Sequence, residues 1–173
     1  MKEPMMNSIC DYITGKEIDN VGPEVSRQQF EKYLVGTLGY SKDEILVDAP
    51  LTVQFKGEDY HSSIDLVVQV GDTPVMAVTC VAGSIGSYER EILAGARLLY
   101  PNQIPWAIST DARDAAVLDT LTGKNIGQGL GAIPSRNQAA LALADMKPTP
   151  LEKGKIAGEM IIYRSFNLEK INR

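Results

Sequence analysis

Residues 62–82 read SSIDLVVQVGDTPVMAVTCVA: two apolar runs, 62–70 and 74–82, split by the turn residues GDTP. Such runs, bounded by Gly, Asp and Pro, read as strands, and a turn this short joins them antiparallel. A parallel pair would need a crossover of about a dozen residues or more. The apolar content of both runs requires burial, so the hairpin belongs inside a central sheet.

Helical patterns flank it. In EVSRQQFEKYLVGTLGYS (24–41), Phe30, Tyr33, Leu34 and Leu38 recur at three- and four-residue spacing, which gives a helix one apolar face. Pro23 suits its first turn and Gly39 ends it. YEREILAGARLLY (88–100) is a second amphipathic helix. Shorter strands are expected at ILVD (45–48), LTVQF (51–55) and IPWAIST (104–110); AAVLD (115–119) fits helix or strand, and strand is preferred because LTGKN then closes a hairpin. Helices at 135–146, with Ser135 as N-cap, and at 151–170 finish the chain across a KPTP linker. DYITGKEI (11–18) and DTLTGKNI (119–126) share Asp, Thr-Gly-Lys and a final Ile, which points to two similar tight turns built on Gly15 and Gly123. The expected fold class is α/β (an α+β mixed sheet flanked by helices). Residues 1–146 would form one domain, and 147–173 a basic C-terminal helix packed on it or extending from it.

With 173 residues the chain can bury a sizeable core. Its net charge is −5, and only the tail 147–173 is basic, with 6 basic against 3 acidic residues. A nucleic-acid binder needs a local basic surface rather than a basic total, so that class stays open. No apolar run reaches the roughly 18 residues of a membrane helix. MKEPMMNSICDY lacks the apolar core of a secretory leader. Cys10 and Cys80 have no metal-type spacing, and two thiols in a chain of this length suggest a reducing compartment. A cytoplasmic protein with no membrane association is expected.

The order helix, hairpin, helix, strand, with an acid on the first hairpin strand, resembles the core of PD-(D/E)XK nucleases. The chain is similar to one branch, the N-terminal nuclease domain of the type I restriction enzyme R subunit. The matching pieces are DYITGKEI, PEVSRQQFEKYLVGTLGYSKDEI, SSIDLVVQVGDTPVMAV and GARLLYPNQIPWAISTDARDAAVLDTLTGKNIGQGLGAIPSR, together roughly residues 10–140. The resemblance implies a restriction-endonuclease-like core, DNA as substrate or partner, and Mg²⁺ as cofactor if the domain is active. A chain that nearly ends after this region would act without the motor parts of a full R subunit.

In such nucleases one acid lies on the first hairpin strand. A second acid and a lysine lie two residues apart on the next, facing one side. Carboxylates hold metal that activates water, and the lysine offsets charge on the phosphate. Asp65 matches the first acid and would be the metal ligand. An ordinary polar residue at a strand's start would look the same. Glu24 matches an acid of the family's first helix, although the helix dipole alone favours glutamate there. If Asp72 and Thr73 form a two-residue loop, Asp65 lies opposite Cys80, and a bulge or another loop moves the partner to Thr79 or Val81. The family's acid and lysine positions carry Thr79 and Val81, and no register brings a carboxylate or amine into that stretch.

Glu89 or Glu91 could supply a migrated acid and Arg90 a positive charge, but ordinary solvated helix charges explain them better. No lysine lies between Lys56 and Lys124, so that helix cannot supply one. A Cys80 nucleophile with His61 as base fails on distance, since residues 61 and 65 stand roughly 13 Å apart along a strand. GQGLG (127–131) lacks the Lys-Ser/Thr of a phosphate loop and reads as a flexible loop. The expectation is a catalytically degenerate nuclease-like domain that binds DNA or a protein partner, its cleft closed by apolar side chains. An active metal-dependent endonuclease with relocated residues is the alternative.

Overall fold

The computed structural model describes residues 7–171; Met1–Met6, on which the leader reading partly rests, lie outside them. The chain runs β1 (Ser8–Cys10), β2 (Glu17–Asp19), α1 (Glu24–Gly36), β3 (Ile45–Phe55), β4 (Glu58–Val70), β5 (Thr73–Cys80), α2 (Glu89–Leu98), β6 (Trp106–Thr110), β7 (Ala115–Asp119), β8 (Asn125–Gln128), α3 (Arg136–Leu143) and α4 (Lys153–Ile171). β1 and β2 form a small separate antiparallel pair. The other strands make one six-stranded mixed sheet in the order β3-β4-β5-β6-β7-β8, in which only β5 and β6 run parallel. A parallel pair cannot be joined by a tight turn, and α2 supplies the crossover.

The two faces of the sheet are covered by different helices. Phe30 and Leu34 of α1 and Ala139 of α3 pack with Leu66, Val68, Met76, Val78 and Ile108 on one face. Ile92, Leu93 and Ala96 of α2 and Tyr163 of α4 pack with Val67, Ala77, Ala107 and Leu118 on the other. Because β4 and β5 are covered on both faces, they read as near-continuous apolar runs rather than alternating ones.

The 62–70 and 74–82 runs pair as the expected hairpin. The segments 45–48 and 51–55 prove to be one strand, β3, interrupted at Asp48, which takes the left-handed φ of 54°. β3 turns into β4 through Lys56-Gly57, both with positive φ, the conformation that a two-residue hairpin turn demands. β7 and β8 form the hairpin around Thr-Gly-Lys. The two similar octapeptides make the same turn: Gly15 N–H donates to Asp11 O at 2.8 Å and Gly123 N–H to Asp119 O at 2.7 Å, and both glycines have φ of 73°. Part of the expected flexible loop 127–131 is instead strand β8 followed by one tight helical turn, Leu130–Ala132. Ser135 caps α3 by accepting from the Gln138 N–H, with Gln138 reaching back to Ser135 N–H.

Candidate functional site

The site begins with the register of the hairpin. The loop is Gly71-Asp72, and a bulge between Val68 and Gln69 shifts the pairing, so that Leu66 opposes Val78. Continued by one residue, that register sets Asp65 opposite Thr79 rather than Cys80. Directly opposed residues of an antiparallel pair share a face. Asp65 Oδ2 accepts the Cys80 backbone N–H at 2.8 Å and faces the Thr79 hydroxyl at 3.4 Å. The Cys80 thiol points into the α1 side of the core, where burial and then the Asp65 charge push its pKa well up. Thr79 and Val81 are 1% and 3% exposed, but charged rather than apolar side chains meet the Thr79 hydroxyl, Asp65 at 3.4 Å and Lys170 at 2.7 Å.

Other acids and bases come in from the flanking helices. Glu91, in the first turn of α2, is 3% exposed and faces the sheet, contrary to the expectation of a solvated helix charge. A lysine also arrives, from α4 rather than α2. Lys170 Nζ donates to Thr79 Oγ1 at 2.7 Å and to Glu91 Oε1 at 3.2 Å, and stands 3.7 Å from Asp65 Oδ2. Burial works against the ammonium, but Asp65 and Glu91 outweigh it and hold the Lys170 pKa above its ordinary value. Burial raises the Glu91 pKa, partly offset by Lys170. Asn167, one turn earlier on α4, donates to Glu91 Oε2 at 3.3 Å.

Glu24 opens α1 at the edge of this cluster. Burial raises its pKa, Arg27 lowers it, and the Asp65 charge raises it again. Arg27 Nη2 lies 2.8 Å from Glu24 Oε2, in an ion pair poorly aligned for a hydrogen bond. The same guanidinium donates to Asp48 Oδ1 at 2.8 Å and stands 3.9 Å from Asp11 Oδ2. Asp48 occupies the β3 position that faces Asp65 between the pairs Val47–Leu66 and Ala49–Ile64.

The structure thus gathers Asp65, Glu91 and Lys170 from β4, α2 and α4, while Glu24 pairs with Arg27. Two carboxylates can offer hard oxygen ligands, and a cation beside them can offset phosphate charge. Among the described residues, no three His, Cys, Asp or Glu side chains form a metal cage by themselves. His61 is exposed and bonded to Thr52 through Nδ1 at 2.9 Å, away from the buried Cys80. An apolar groove lined by Tyr100, Pro101, Ile104, Leu143 and Met146 contains none of the clustered residues. Sequence reading missed Lys170 and Asn167; the basic excess of the tail was their only trace.

Comparison with known proteins gives the chain a family. The fold matches a fragment assigned to the HsdR subunit of a type I restriction enzyme from Vibrio vulnificus YJ016, at a TM-score of 0.53 and 16% identity, over 72% of this chain. The match takes in 25% of that fragment, so the chain spans about a quarter of its length. No curated protein matches the sequence. The family model for the type I restriction enzyme R protein N terminus matches residues 22–134, which takes in Glu24, Asp65 and Glu91 but stops short of α4. This chain belongs to the family of type I restriction enzyme R protein N-terminal domains.

Proposed function

We propose that the domain is a divalent-metal-dependent DNA endonuclease of PD-(D/E)XK type whose second acid and lysine have moved off the hairpin. Asp65 keeps the first acid position, Glu91 of α2 takes the role of the second, and Lys170 of α4 takes that of the lysine. The observation that carries the reading is the Lys170 ammonium, bonded to the hydroxyl of Thr79 and paired with both carboxylates. Thr79 stands at the strand position that resemblance assigns to the family's acid. A lysine reaching that point from a distant helix restores charge where the strand has none.

The residues fit a magnesium-class ion. Mg²⁺ keeps several waters and is held by one or two carboxylates together with substrate phosphate, so a third protein acid is not required. Asp65 and Glu91 would hold it. When bound, the metal supplies Lewis-acid charge and an activated water for phosphodiester hydrolysis. Lys170 does the remaining electrostatic work. Its raised pKa keeps it protonated, so it acts as a fixed cation for the phosphate oxygens rather than as a base. The Cys80 N–H, at the end of β5, holds Asp65 in place.

A second reading follows from the same ammonium. Lys170 neutralises Asp65 and Glu91 by itself, in which case the domain is catalytically degenerate and acts in DNA or protein binding. The closed strand positions Thr79 and Val81 favour it. Supercoiled plasmid incubated with Mg²⁺ or Mn²⁺ separates the two. Nicking that disappears in Asp65→Ala and falls strongly in Lys170→Met supports the nuclease. Wild-type protein that leaves plasmid intact at every metal concentration supports the degenerate reading.

A further inference from the structure

Asn167 joins the two elements that carry the acids of this site. It is 4% exposed. Its Oδ1 accepts from the Tyr60 hydroxyl and from Ser62 Oγ, and its Nδ2 donates to Glu91 Oε2. Tyr60 and Ser62 belong to β4, the strand that bears Asp65, while Glu91 belongs to α2. Two hydroxyls on Oδ1 fix the orientation of the amide, because turning it over would aim the NH₂ at the hydroxyls and the oxygen at a carboxylate. Ser62 Oγ is itself 2.8 Å from the Tyr163 hydroxyl, a further α4 contact on the same strand. Glu91 is therefore gripped on both oxygens from one helix, Oε2 by Asn167 and Oε1 by Lys170.

We infer that Asn167 is a positioning residue: through its amide it sets the Glu91 carboxylate against Asp65, so that the two oxygens groups can serve one metal ion. The inference rests on the reading of Asp65 and Glu91 as metal carboxylates. A freely rotating Glu91 would lose conformational entropy on binding, a cost already met when the amide holds the carboxylate in place. Outer partners of metal-binding carboxylates commonly control affinity by about 10–100-fold when removed. Arg97 offers a comparison, since its pair with Glu159 at 2.8 Å also ties α2 to α4 but touches neither acid of the site.

The test is Mn²⁺ titration of the whole chain, followed by electron paramagnetic resonance, for wild type, Asn167→Ala, Arg97→Met, Glu91→Gln and the Asn167→Ala/Glu91→Gln double variant. Expected is an Mn²⁺ affinity about tenfold or more weaker in Asn167→Ala. Arg97→Met should bind as wild type even if it melts earlier, and Asn167→Ala should add nothing in the Glu91→Gln background. Tyr60→Phe, which removes one hydroxyl from the amide lock, should weaken binding in the same direction and serves if Asn167→Ala does not fold. Wild-type affinity in Asn167→Ala, or an equal loss with and without Glu91, overturns the inference while leaving the metal reading intact. Absence of saturable Mn²⁺ binding in wild type, or an unchanged affinity in Glu91→Gln, overturns the metal reading and the inference with it.

Discussion

Lys170 and Glu91, 79 positions apart in the chain, meet at 3.2 Å beside Thr79 near the end of the interior strand β5. The Glu91 side chain is 4% exposed and that of Lys170 20%, so the pair is largely shielded from water. Removing one partner from a buried pair strands the other charge, at a cost of about 3–5 kcal/mol in fully buried cases. Because Lys170 reaches solvent in part, Lys170→Met should cost less, about 1–3 kcal/mol. The double variant Lys170→Met/Glu91→Gln should recover much of that loss. Urea melts at neutral pH measure both.

A second buried acid makes stability depend on pH. Glu31 is fully buried with no hydrogen-bond donor to either oxygen among the described residues, and burial followed by the charge of Asp11 pushes its pKa up to about 8. Asp11 goes the other way: burial opposes it, but hydrogen bonds from Thr14 and Gln28 bring its pKa below the ordinary value. Glu31 therefore keeps its proton at neutral pH, beside an ionised Asp11. In the unfolded chain Glu31 titrates near 4.5. Between those two values the folded state holds the extra proton, so stability falls as pH rises across this window and levels off above it. The slope from this group is at most about 1.4 kcal/mol per pH unit. Glu31→Gln, which keeps the shape but cannot ionise, should flatten the profile between pH 5 and 8, as read by chemical melts on the two proteins in parallel.

The thiols give a simple count. Cys10 is exposed, whereas Cys80 is buried with a pKa raised by burial. A thiol is reactive as the thiolate and only when accessible. Aromatic disulfide reagent should label one thiol per native chain quickly, and two in denaturant. Rapid labelling of both in the native state would contradict the packing of Cys80 against α1.

Close packing of the last hairpin predicts a further asymmetry. A Cβ added at Gly127 would stand 2.6 Å from the Ala132 Cβ, whereas one added at Gly95 would stand 2.9 Å from the mobile end of Ile64. An Ile methyl can swing aside, and alanine also favours the helix around position 95. Ala132 has no such freedom. Gly127→Ala should therefore destabilise by about 1–3 kcal/mol, and Gly95→Ala by less. Thermal melts of the two variants give the comparison.

The sheet was legible in the sequence because its signals are local. Val and Ile runs bounded by short turns mark β4 and β5, and the apolar spacing of Phe30, Leu34 and Leu38 marks α1. The register was not, because a bulge at Val68 and Gln69 depends on packing and moves Asp65 by one partner. Asp48 shows the same limit, since its left-handed backbone joins two short runs into one strand. Asp65 and Glu24 could be picked out as candidates because family position singles them out. Glu91 was ambiguous, as an acid in a first helical turn reads as a dipole partner unless its burial is known. Lys170 and Asn167 lie more than a hundred residues from Asp65, and nothing in local spacing links them to it.

Calorimetric titration of Mn²⁺ into wild type, Asp65→Ala, Glu91→Gln and Lys170→Met addresses the central claim, that α2 and α4 rebuild a metal site on a strand that has lost its own acid and lysine. The account predicts saturable binding in wild type that is lost in Asp65→Ala and weakened in Glu91→Gln. In Lys170→Met it should persist or strengthen, because the competing ammonium is gone while plasmid cleavage falls. Wild-type protein with no saturable binding would contradict it, leaving Lys170 as the permanent counterion of a degenerate site.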